Sequence, residues 1–241
     1  MNTVNILLPV LNEEKRLKRG LDKLLPFMDN FFLGRYVLTV VDNGSSDKTE
    51  NIAKDYVAKF NQVKYIKLAE RGVGLAFRAG CAENNSDIVG YMDIDLSTDI
   101  NCLLEVDKFF KNEETDIVNA SRLSKGSVVI GRKWYRSVSS YGLKYLLKIV
   151  FNMRIDDAIC GFKFYRKKCV EKLISGASDL PGWFYCIELI IRAERQGFNI
   201  KELPVTWTDD PNSKVNFFKQ IKNYIVNIIK LFFVLRKEGK N

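Results

Sequence analysis

The sequence contains no histidine, and this absence excludes much chemistry at once. Catalytic triads built on histidine, metal centres with imidazole ligands and imidazole proton relays all need a residue that the chain lacks. Any acid–base or metal chemistry must therefore come from carboxylates. The five cysteines form an odd set without a Cys-x-x-Cys pair, which argues against zinc ribbons and disulfide frameworks and favours a reducing compartment.

Glycine, proline and long apolar runs are also scarce. With 15 Gly and 5 Pro among 241 residues, the chain is neither of low complexity nor collagen-like. The N-terminus lacks a basic start and reaches Asn12, Glu13 and Glu14 too early for a signal peptide. Near the C-terminus the longest apolar run, 231–235, is far shorter than the ~20 residues of a bilayer span.

Cationic residues, by contrast, are in clear excess. The chain has 38 Lys+Arg against 29 Asp+Glu, and because there is no histidine the net charge of +9 persists throughout the neutral pH range. This charge indicates an anionic partner: nucleic acid, a phosphate-bearing substrate or a membrane surface. A hydrophobic fraction of 46% is enough to bury a substantial core, so the chain is not expected to be disordered.

Short apolar segments alternate with amphipathic segments in the first half of the chain. Strands are predicted at 4–10, 37–42, 63–68 and 88–92, with helices near 17–25, 46–60 and 73–84. The alternation predicts a mainly parallel α/β sheet with helices on both faces, and ligands at the carboxyl ends of its strands. Later segments are less regular: strand-like 116–121, a basic stretch at 125–148, a helix near 184–196 and strand-like 200–205.

The segment 215–241 is predicted as an amphipathic, basic C-terminal helix. Large apolar residues fall on one face of this helix, opposite lysines and asparagines. They are Phe218, Ile221, Ile225, Ile228, Ile229 and Phe232. Two interpretations stay open: the helix lies in the headgroup plane of a membrane, or it docks on the core of the protein.

The strongest local signal is a pair of acids, Asp93 and Asp95, directly after the apolar strand at 88–92. Alternate residues of a strand point to the same side, so the two carboxylates can converge and supply the oxygen ligands that a hard divalent cation requires. A metal that bridges a diphosphate would suit such a pair. The alternative is that the acids form a turn, with Ser97 in the cap of the next helix.

Polar and small residues follow three other predicted strands. They are Pro9, Asn12 and Glu13 after the first, Asp42 and Asn43 after the second, and Arg71, Gly72 and Gly74 after the third. The acidic and amide side chains can accept hydrogen bonds from a base or a ribose, although the same residues are ordinary turn and cap formers. The glycines allow close backbone approach, and the start of a helix favours an anion.

Further motifs follow in a characteristic order in the second half. They are Ala-Ser-Arg at 120–122, Arg-Lys-Trp-Tyr-Arg at 132–136 with Ser140, Asp-Ala-Ile-Cys-Gly-Phe-Lys at 157–163, Gly-Trp-Phe at 182–184 with Glu188, Pro-Val-Thr-Trp at 204–207 and Asn-Ser-Lys at 212–214. With the strand-end residues they resemble the inverting family-2 glycosyltransferases of GT-A fold. Within that family the chain is most similar to the polyprenyl (dolichyl) phosphate hexosyltransferases, that is, the dolichyl-phosphate β-glucosyltransferases and dolichol-phosphate mannosyltransferases.

The resemblance implies a GT-A (Rossmann-like) domain over 1–214, with a donor half at about 1–115 and an acceptor half at about 116–214, followed by the tail at 215–241. It implies metal-dependent, inverting transfer of a hexose from a nucleotide sugar to dolichyl or polyprenyl phosphate. UDP-glucose is the favoured donor, and GDP-mannose and UDP-N-acetylglucosamine stay open. The cofactor it implies is Mg²⁺ or Mn²⁺. Because a lipid phosphate is already ionised near neutral pH, it needs no strong general base.

The resemblance also assigns roles to residues. The implied donor site consists of Pro9, Asn12, Glu13, Asp42, Asn43, Arg71, Gly72, Gly74, Asp93 and Lys214, and the implied metal ligands are Asp93, Asp95 and Ser97. Arg122, Arg136 and Ser140 would hold the acceptor phosphate, and Asp95, Arg122, Arg136 and Glu188 would act in catalysis. For Glu188 two interpretations stay open: it hydrogen-bonds the sugar or acts as a general base, or it is a paired structural acid.

Two other functions are compatible with parts of the sequence. A glycosyltransferase with a soluble saccharide or protein acceptor would need a general base and would depend little on Arg136. A non-enzymatic α/β protein that binds membranes or nucleic acid would explain the charge, but no nucleic-acid motif accompanies it. We therefore expect a cytoplasmic enzyme, peripherally bound to the cytosolic face of a membrane, with no nucleic-acid partner.

Overall fold

A computed structural model of the chain describes residues 1–210 and 217–238, with side chains from 220 onward in the second segment. Helices and strands alternate along the chain. In chain order they are β1 Val4–Val10, α1 Glu14–Phe32, β2 Tyr36–Asp42, α2 Thr49–Lys59, β3 Val63–Lys67, α3 Val73–Ala82, β4 Ile88–Met92, α4 Cys102–Phe110, β5 Ile117–Ser121, β6 Val128–Ile130, α5 Trp134–Phe151, β7 Phe162–Arg166, α6 Lys167–Gly176, α7 Phe184–Arg195, β8 Ile200–Pro204, β9 Thr206–Thr208 and α8 Phe217–Glu238.

Seven strands form one sheet in the order β3-β2-β1-β4-β7-β5-β8. β1 pairs in parallel with β2 and β4, β2 with β3, and β5 with β8. β7 runs antiparallel to both of its neighbours, β4 and β5. The mainly parallel α/β sheet predicted from the sequence is thus confirmed, and β6 and β9 form a separate parallel pair.

The central strand β1 shows why helices cover both faces of the sheet. Its residues Ile6 and Leu8 join one hydrophobic core, and Leu7 between them joins another. Because alternate strand residues point to opposite faces, the two cores lie on opposite sides of the sheet. Helices α1, α2 and α4 contribute to the first core, and α3, α5, α6, α7 and α8 contribute to the second.

The order of the strands reverses at β1, because β2 and β3 lie on one side of it and β4 on the other. In open α/β sheets this switch point leaves a crevice beyond the carboxyl ends of the strands, where ligands bind. The residues after β1 and β4, which include Glu13 and the Asp93–Asp95 pair, therefore lie at the expected place for a functional site.

The second half of the chain contains elements that the sequence pattern does not predict. The basic stretch at 125–148 contains β6 and most of helix α5, and β7 and α6 follow it. Strand β7 includes Lys163, which is fully buried, so its sequence lacks the uniform apolar character of the other buried strands. Helix α2 begins at Thr49 rather than at 46, because Asp47 accepts hydrogen bonds from the backbone NH groups of Glu14 and Thr49 in the preceding turn.

The described part of the C-terminal helix α8 packs on the second core. Four residues face this core: Tyr224, Ile228, Leu231 and Leu235. At the end of the helix Glu238 pairs with Arg192 of α7 at 3.0 Å. The buried face differs from the predicted one, because Ile225 and Ile229 are 45% and 53% exposed. Among the helices of residues 1–210 and 217–238, none combines the length and apolar character needed to cross a bilayer.

Candidate active site

A cavity of about 900 Å³ opens at the switch point of the sheet and extends between α5 and α8. Its volume lies in the range of small-molecule binding sites. It brings together eleven of the residues to which the sequence analysis assigns a role in the site. They are Pro9, Glu13, Asn43, Arg71, Gly72, Asp93, Asp95, Ser97, Arg122, Arg136 and Ser140. Residues from the two halves of the chain, far apart in sequence, thus face one space.

Two predicted donor-site residues, Asn12 and Asp42, do not line this cavity. The fully buried Asp42 carboxylate accepts hydrogen bonds from the Ser45 backbone NH at 2.8 Å and the Tyr65 hydroxyl at 2.9 Å. Asn12 adopts a left-handed backbone conformation with φ of 55°, and its side chain accepts a hydrogen bond from the Ser46 backbone NH at 2.8 Å. Asn12 thus connects the loops after β1 and β2, whereas Asp42 connects the loop after β2 with β3. Gly74 does not line the cavity either, and a fourth predicted donor residue, Lys214, lies outside the described residues.

Gly72 and Gly74, at the start of α3, allow the loop at 180–181 to approach the helix closely. A Cβ on Gly72 would lie 2.2 Å from the Pro181 carbonyl oxygen, and one on Gly74 would lie 2.5 Å from the Leu180 carbonyl oxygen. The Pro181 oxygen also accepts a hydrogen bond from the Gly74 backbone NH at 2.8 Å. The expectation of an anion at the start of α3 is therefore corrected: a backbone carbonyl takes this place, and Gly74 does not line the cavity.

The acid pair lies on the floor of the cavity. Asp95 accepts a hydrogen bond from the Ser97 backbone NH at 2.9 Å. Asp93 rests against Gly161, where a Cβ would lie 2.4 Å from its Oδ2 atom and so displace the carboxylate. Burial and then the charge of Asp95 raise the pKa of Asp93 to about 7, while Arg122 and Lys163 act in the opposite direction. The two carboxylates thus repel each other when both are ionised, and a bound cation would reduce this repulsion.

These donors fit a hard divalent cation that shares its coordination shell with a substrate. In the part of the chain that the structure describes, no group of three or more His, Cys, Asp or Glu side chains is arranged to hold a metal by itself. Mg²⁺ is commonly bound by one or two carboxylates together with phosphate oxygens and water. Asp93 and Asp95 supply two carboxylates of this kind, and the chain has no imidazole that would favour a softer metal.

Replacement of Asp93 by asparagine is expected to stabilise the cation-free protein at alkaline pH. The folded-state pKa of about 7 lies above the ordinary value of 3.8, so ionised Asp93 lowers stability progressively as the pH rises through this interval. In EDTA, the Tm of Asp93→Asn should exceed that of the wild type more at pH 8 than at pH 5. Manganese should then raise the Tm of the wild type at pH 8 but not that of the variant. Equal Tm differences at both pH values would contradict this assignment, and the exposed Asp99→Asn serves as control.

Arg122 is already engaged by a buried acid. Its Nε and Nη2 atoms donate to the two carboxylate oxygens of Asp157 at 2.7 and 3.0 Å, and its guanidinium lies 5.0 Å from the ring centre of Trp207. Burial alone would raise the pKa of Asp157, but the charge and hydrogen bonds of Arg122 outweigh it and lower the pKa to about 2. The Nε and Nη2 atoms of Arg122 are thus paired with Asp157, although Arg122 lines the cavity, and its contact with an acceptor phosphate stays a prediction.

Arg136 has more capacity for an anion. Its Nη1 atom lies 3.4 Å from both carboxylate oxygens of Asp209, at the limit of a hydrogen bond, and its buried Nε atom has no hydrogen-bond partner among the described residues. Buried donors normally have a partner, so Arg136 keeps hydrogen-bonding capacity that an anion beside it would use. Ser140 lies four residues after Arg136 in α5, is buried and lines the same cavity.

A third arginine, Arg132, was not among the predicted site residues. Its Nη2 atom donates to the Ser140 hydroxyl at 2.8 Å, and it lines the cavity with Arg136. Burial and then the charge of Arg122 lower the pKa of Arg132 to about 10, while Asp209 and Asp157 act in the opposite direction. The sequence signal was the basic motif at 132–136, of which only the last arginine was assigned a role.

Glu188 does not reach the cavity. The carboxylate is fully buried, and it accepts hydrogen bonds from the Arg192 Nε atom at 2.8 Å, the Ser178 backbone NH at 3.0 Å and the Ser178 hydroxyl. All of these partners belong to α7 or to the loop before it. Of the two interpretations that the sequence left open, the paired structural acid matches this arrangement, and the catalytic assignment of Glu188 is corrected.

Comparisons with known proteins identify a matching family, similar sequences and a similar fold. The sequence profile of the family described as Glycosyl transferase family 2 matches residues 5–174. A dolichyl-phosphate beta-glucosyltransferase from Trichomonas vaginalis is 28% identical over 91% of this chain and 70% of its own length. Glycosyltransferase AglD from Haloferax volcanii is 26% identical over 96% of the chain, which spans 37% of that protein.

A solved structure shows the same fold. Glucosyl-3-phosphoglycerate synthase from Mycobacterium tuberculosis, in complex with Mn²⁺, UDP and glucosyl-3-phosphoglycerate, superposes with a TM-score of 0.69. The alignment covers 96% of this chain and 80% of that protein at 18% sequence identity. At this identity the comparison establishes the fold, and the GT-A class predicted from the sequence is confirmed.

Proposed function

The chain belongs to glycosyl transferase family 2 and is a glycosyltransferase, and we propose that it transfers glucose from UDP-glucose to the phosphate of a dolichyl or other polyprenyl lipid. Support for the acceptor comes from the relative of Trichomonas vaginalis, whose name gives dolichyl phosphate and glucose. Support for a uridine nucleotide and a divalent metal comes from the structural neighbour of Mycobacterium tuberculosis, which holds UDP and Mn²⁺.

One observation carries the acceptor assignment. The cavity joins the Arg132–Arg136 cluster to an apolar extension between α5 and α8, lined by Leu143, Leu146 and Ile221. An anionic head on an apolar chain matches both parts of this space, because a phosphate pairs with arginine forks while the hydrocarbon leaves water. A soluble saccharide would leave the apolar part unused.

Different residues of the chain would then bind the acceptor and the donor. Arg136, with its unpaired Nε atom, and Arg132 orient the acceptor phosphate toward the acid pair. Attack by a phosphate oxygen opposite the departing diphosphate inverts the configuration at the anomeric carbon. The phosphate oxygen is already ionised near neutral pH, so no side chain has to remove a proton, and the remote, paired position of Glu188 is compatible with this.

Asp93 and Asp95 would bind Mg²⁺ or Mn²⁺, which supplies Lewis-acid stabilisation of the leaving nucleoside diphosphate. On the donor side Glu13, Asn43 and Arg71 line the cavity next to this pair and would contact the nucleotide. Asp42 and Asn12 would act indirectly, because they fix the loops that carry these residues.

Replacement of Arg136 by alanine is expected to lower transfer to a polyprenyl phosphate by about 10²–10³-fold, the usual effect of removing one charge-stabilising donor. Binding of UDP-glucose with Mn²⁺, measured as a thermal shift, should change little, because Arg136 approaches Asp209 on the acceptor side of the cavity. The exposed Arg154→Ala provides a charge-matched control. Undiminished transfer by Arg136→Ala would rule out the proposed phosphate site and favour a soluble acceptor.

A further inference from the structure

Asp209 places a carboxylate beside the arginines at the acceptor end of the cavity. Both of its oxygens lie 3.4 Å from the Nη1 atom of Arg136, and both residues line the cavity. The Asp209 backbone NH donates to the Ile130 carbonyl at 2.9 Å, and the Thr208 NH before it donates to the Ser97 carbonyl at 2.8 Å. The β6–β9 pair and the loop after β4 therefore fix the backbone that carries this carboxylate.

The ion pair between Asp209 and Arg136 is looser than the neighbouring pair of Arg122 and Asp157. Charge-assisted hydrogen bonds between nitrogen and oxygen usually measure about 2.7–2.9 Å. Arg122 meets Asp157 within this range, at 2.7 Å, whereas the closest approach of Arg136 to Asp209 is 3.4 Å. Asp209 therefore acts on Arg136 mainly through its charge, and it lowers the attraction that an anionic ligand meets there.

The same carboxylate also acts on Arg132. Burial lowers the pKa of Arg132 most, and the charge of Asp209 acts in the opposite direction. Arg132 and Arg136 line the cavity together, while Arg122 is paired with Asp157. Asp209 therefore offsets one of the two positive charges that the Arg132–Arg136 cluster presents to a ligand.

The other acids among the described residues of the cavity wall have different partners. Glu13 and Asp210 contact Arg16 at 3.1 and 3.0 Å. The remaining two are Asp93 and Asp95, the acid pair on the floor of the cavity. Among these acids, Asp209 is thus the one that sets the charge at the Arg132–Arg136 cluster.

We propose that Asp209 is a specificity-determining residue that restricts the acceptor to a monophosphate and rejects a diphosphate. This inference rests on the proposed function, in which Arg136 and Arg132 hold the acceptor phosphate. The Asp209 carboxylate repels every anion at these arginines, but it repels a diphosphate more strongly, because a diphosphate carries an additional ionised group. Discrimination between two ligands often comes from such an unfavourable contact rather than from an added favourable one.

The test is calorimetric binding of geranyl phosphate and geranyl diphosphate in EDTA. Both probes carry the same short prenyl chain, so a difference between their Kd values reports on the headgroup. EDTA removes the cation through which a diphosphate could bind to Asp93 and Asp95. In Asp209→Asn, which removes the charge at nearly constant size, we expect the monophosphate to bind about fivefold more tightly and the diphosphate at least about twentyfold. A merely structural role of Asp209 would weaken the binding of both probes.

Two further variants serve as controls. Asp99→Asn removes a carboxylate charge close to β9, because the Asp99 backbone NH donates to the Thr206 carbonyl at 3.1 Å. Asp99 is exposed and does not line the cavity, so both Kd values should stay at the wild-type level. Asp209→Glu keeps the charge and should keep the wild-type ratio of the two Kd values.

Transfer kinetics separate the role of Asp209 from the proposed function. With UDP-glucose and Mn²⁺, Asp209→Asn should have a KM for geranyl phosphate about fivefold below that of the wild type, and its kcat should not rise, because the added affinity acts equally on the bound acceptor and the transition state. If the wild type binds geranyl phosphate but transfers no sugar to it, the proposed function fails while the Kd ratio still decides the role of Asp209. Equal gains for the two probes, no gain, or the same change in Asp99→Asn would overturn that role. Absence of binding of either probe to the wild type and to Asp209→Asn would overturn both proposals.

Discussion

Replacement of Asp95 by alanine is expected to reduce sugar transfer by about 10³-fold or more, because several kcal/mol of leaving-group stabilisation would be lost with the cation proposed to bind there. The variant should still fold, since removal of the Asp95 charge relieves the repulsion that helps to raise the pKa of Asp93. Transfer assays with Mn²⁺ and UDP-glucose, combined with the thermal shift produced by the same ligands, measure both effects.

The exposed Asp99 is the matched control for this experiment. It lies four residues further along the same loop and does not line the cavity, so Asp99→Ala should keep wild-type turnover. If Asp95→Ala retains turnover and a normal response to Mn²⁺, the acid pair does not bind the metal, and the mechanism proposed for the leaving diphosphate is wrong.

Replacement of Asp157 by asparagine should lower the free energy of unfolding by about 3–5 kcal/mol, the usual cost of breaking a buried ion pair on one side. The Arg122 guanidinium would keep its charge in a site where its side chain is 8% exposed. Arg122 would also lose its fixed orientation beside Trp207 in the cavity wall, so transfer should fall as well. Urea unfolding at neutral pH measures the stability change.

The neighbouring Asp156 provides the control variant, and the pH dependence of stability provides a second test. Asp156 pairs with Lys144 and Lys148 near the surface, so Asp156→Asn should cost only about 0–1 kcal/mol. Because the pKa of Asp157 is lowered to about 2, its contribution is complete above the ordinary value of 3.8 and is lost as the pH falls through 2. Equal stability losses in the two variants would show that the Arg122–Asp157 pair has no special role.

The first half of the fold could be predicted from local sequence patterns because its strands are buried on both faces and separated by amphipathic helices. Strands β1 to β4 and helix α3 therefore appear near their predicted positions. The second half was predicted only in part: β5, α7 and β8 lie near their predicted positions, whereas α5, β7 and α6 were not predicted. Strand β7 is antiparallel and contains the buried Lys163, and α5 turns many of its apolar residues toward solvent. Neither feature gives the periodicity expected of a helix or strand with one buried face.

The candidate site was predictable where residue type alone restricts the chemistry. Paired carboxylates such as Asp93 and Asp95 suit a divalent cation wherever they occur, and the structure places both in the cavity. Pairings across long sequence separations were not predictable. Asp157 engages Arg122 from 35 residues away, and Pro181 approaches Gly74 from a different part of the chain. The division of the domain near residue 115 stays a prediction.

The packing of α8 limits how this enzyme can be engineered. Gln220, Ile221, Tyr224 and Ile225 form part of the cavity wall, and Glu238 shares Arg192 with the buried Glu188. A shortened version that ends before this helix, designed to ease purification, would open the pocket on one side and strip Arg192 of one of its two acidic partners. Any loss of vesicle binding after such a deletion would be inseparable from damage to the catalytic chamber, so point substitutions on the outer surface are the appropriate tool.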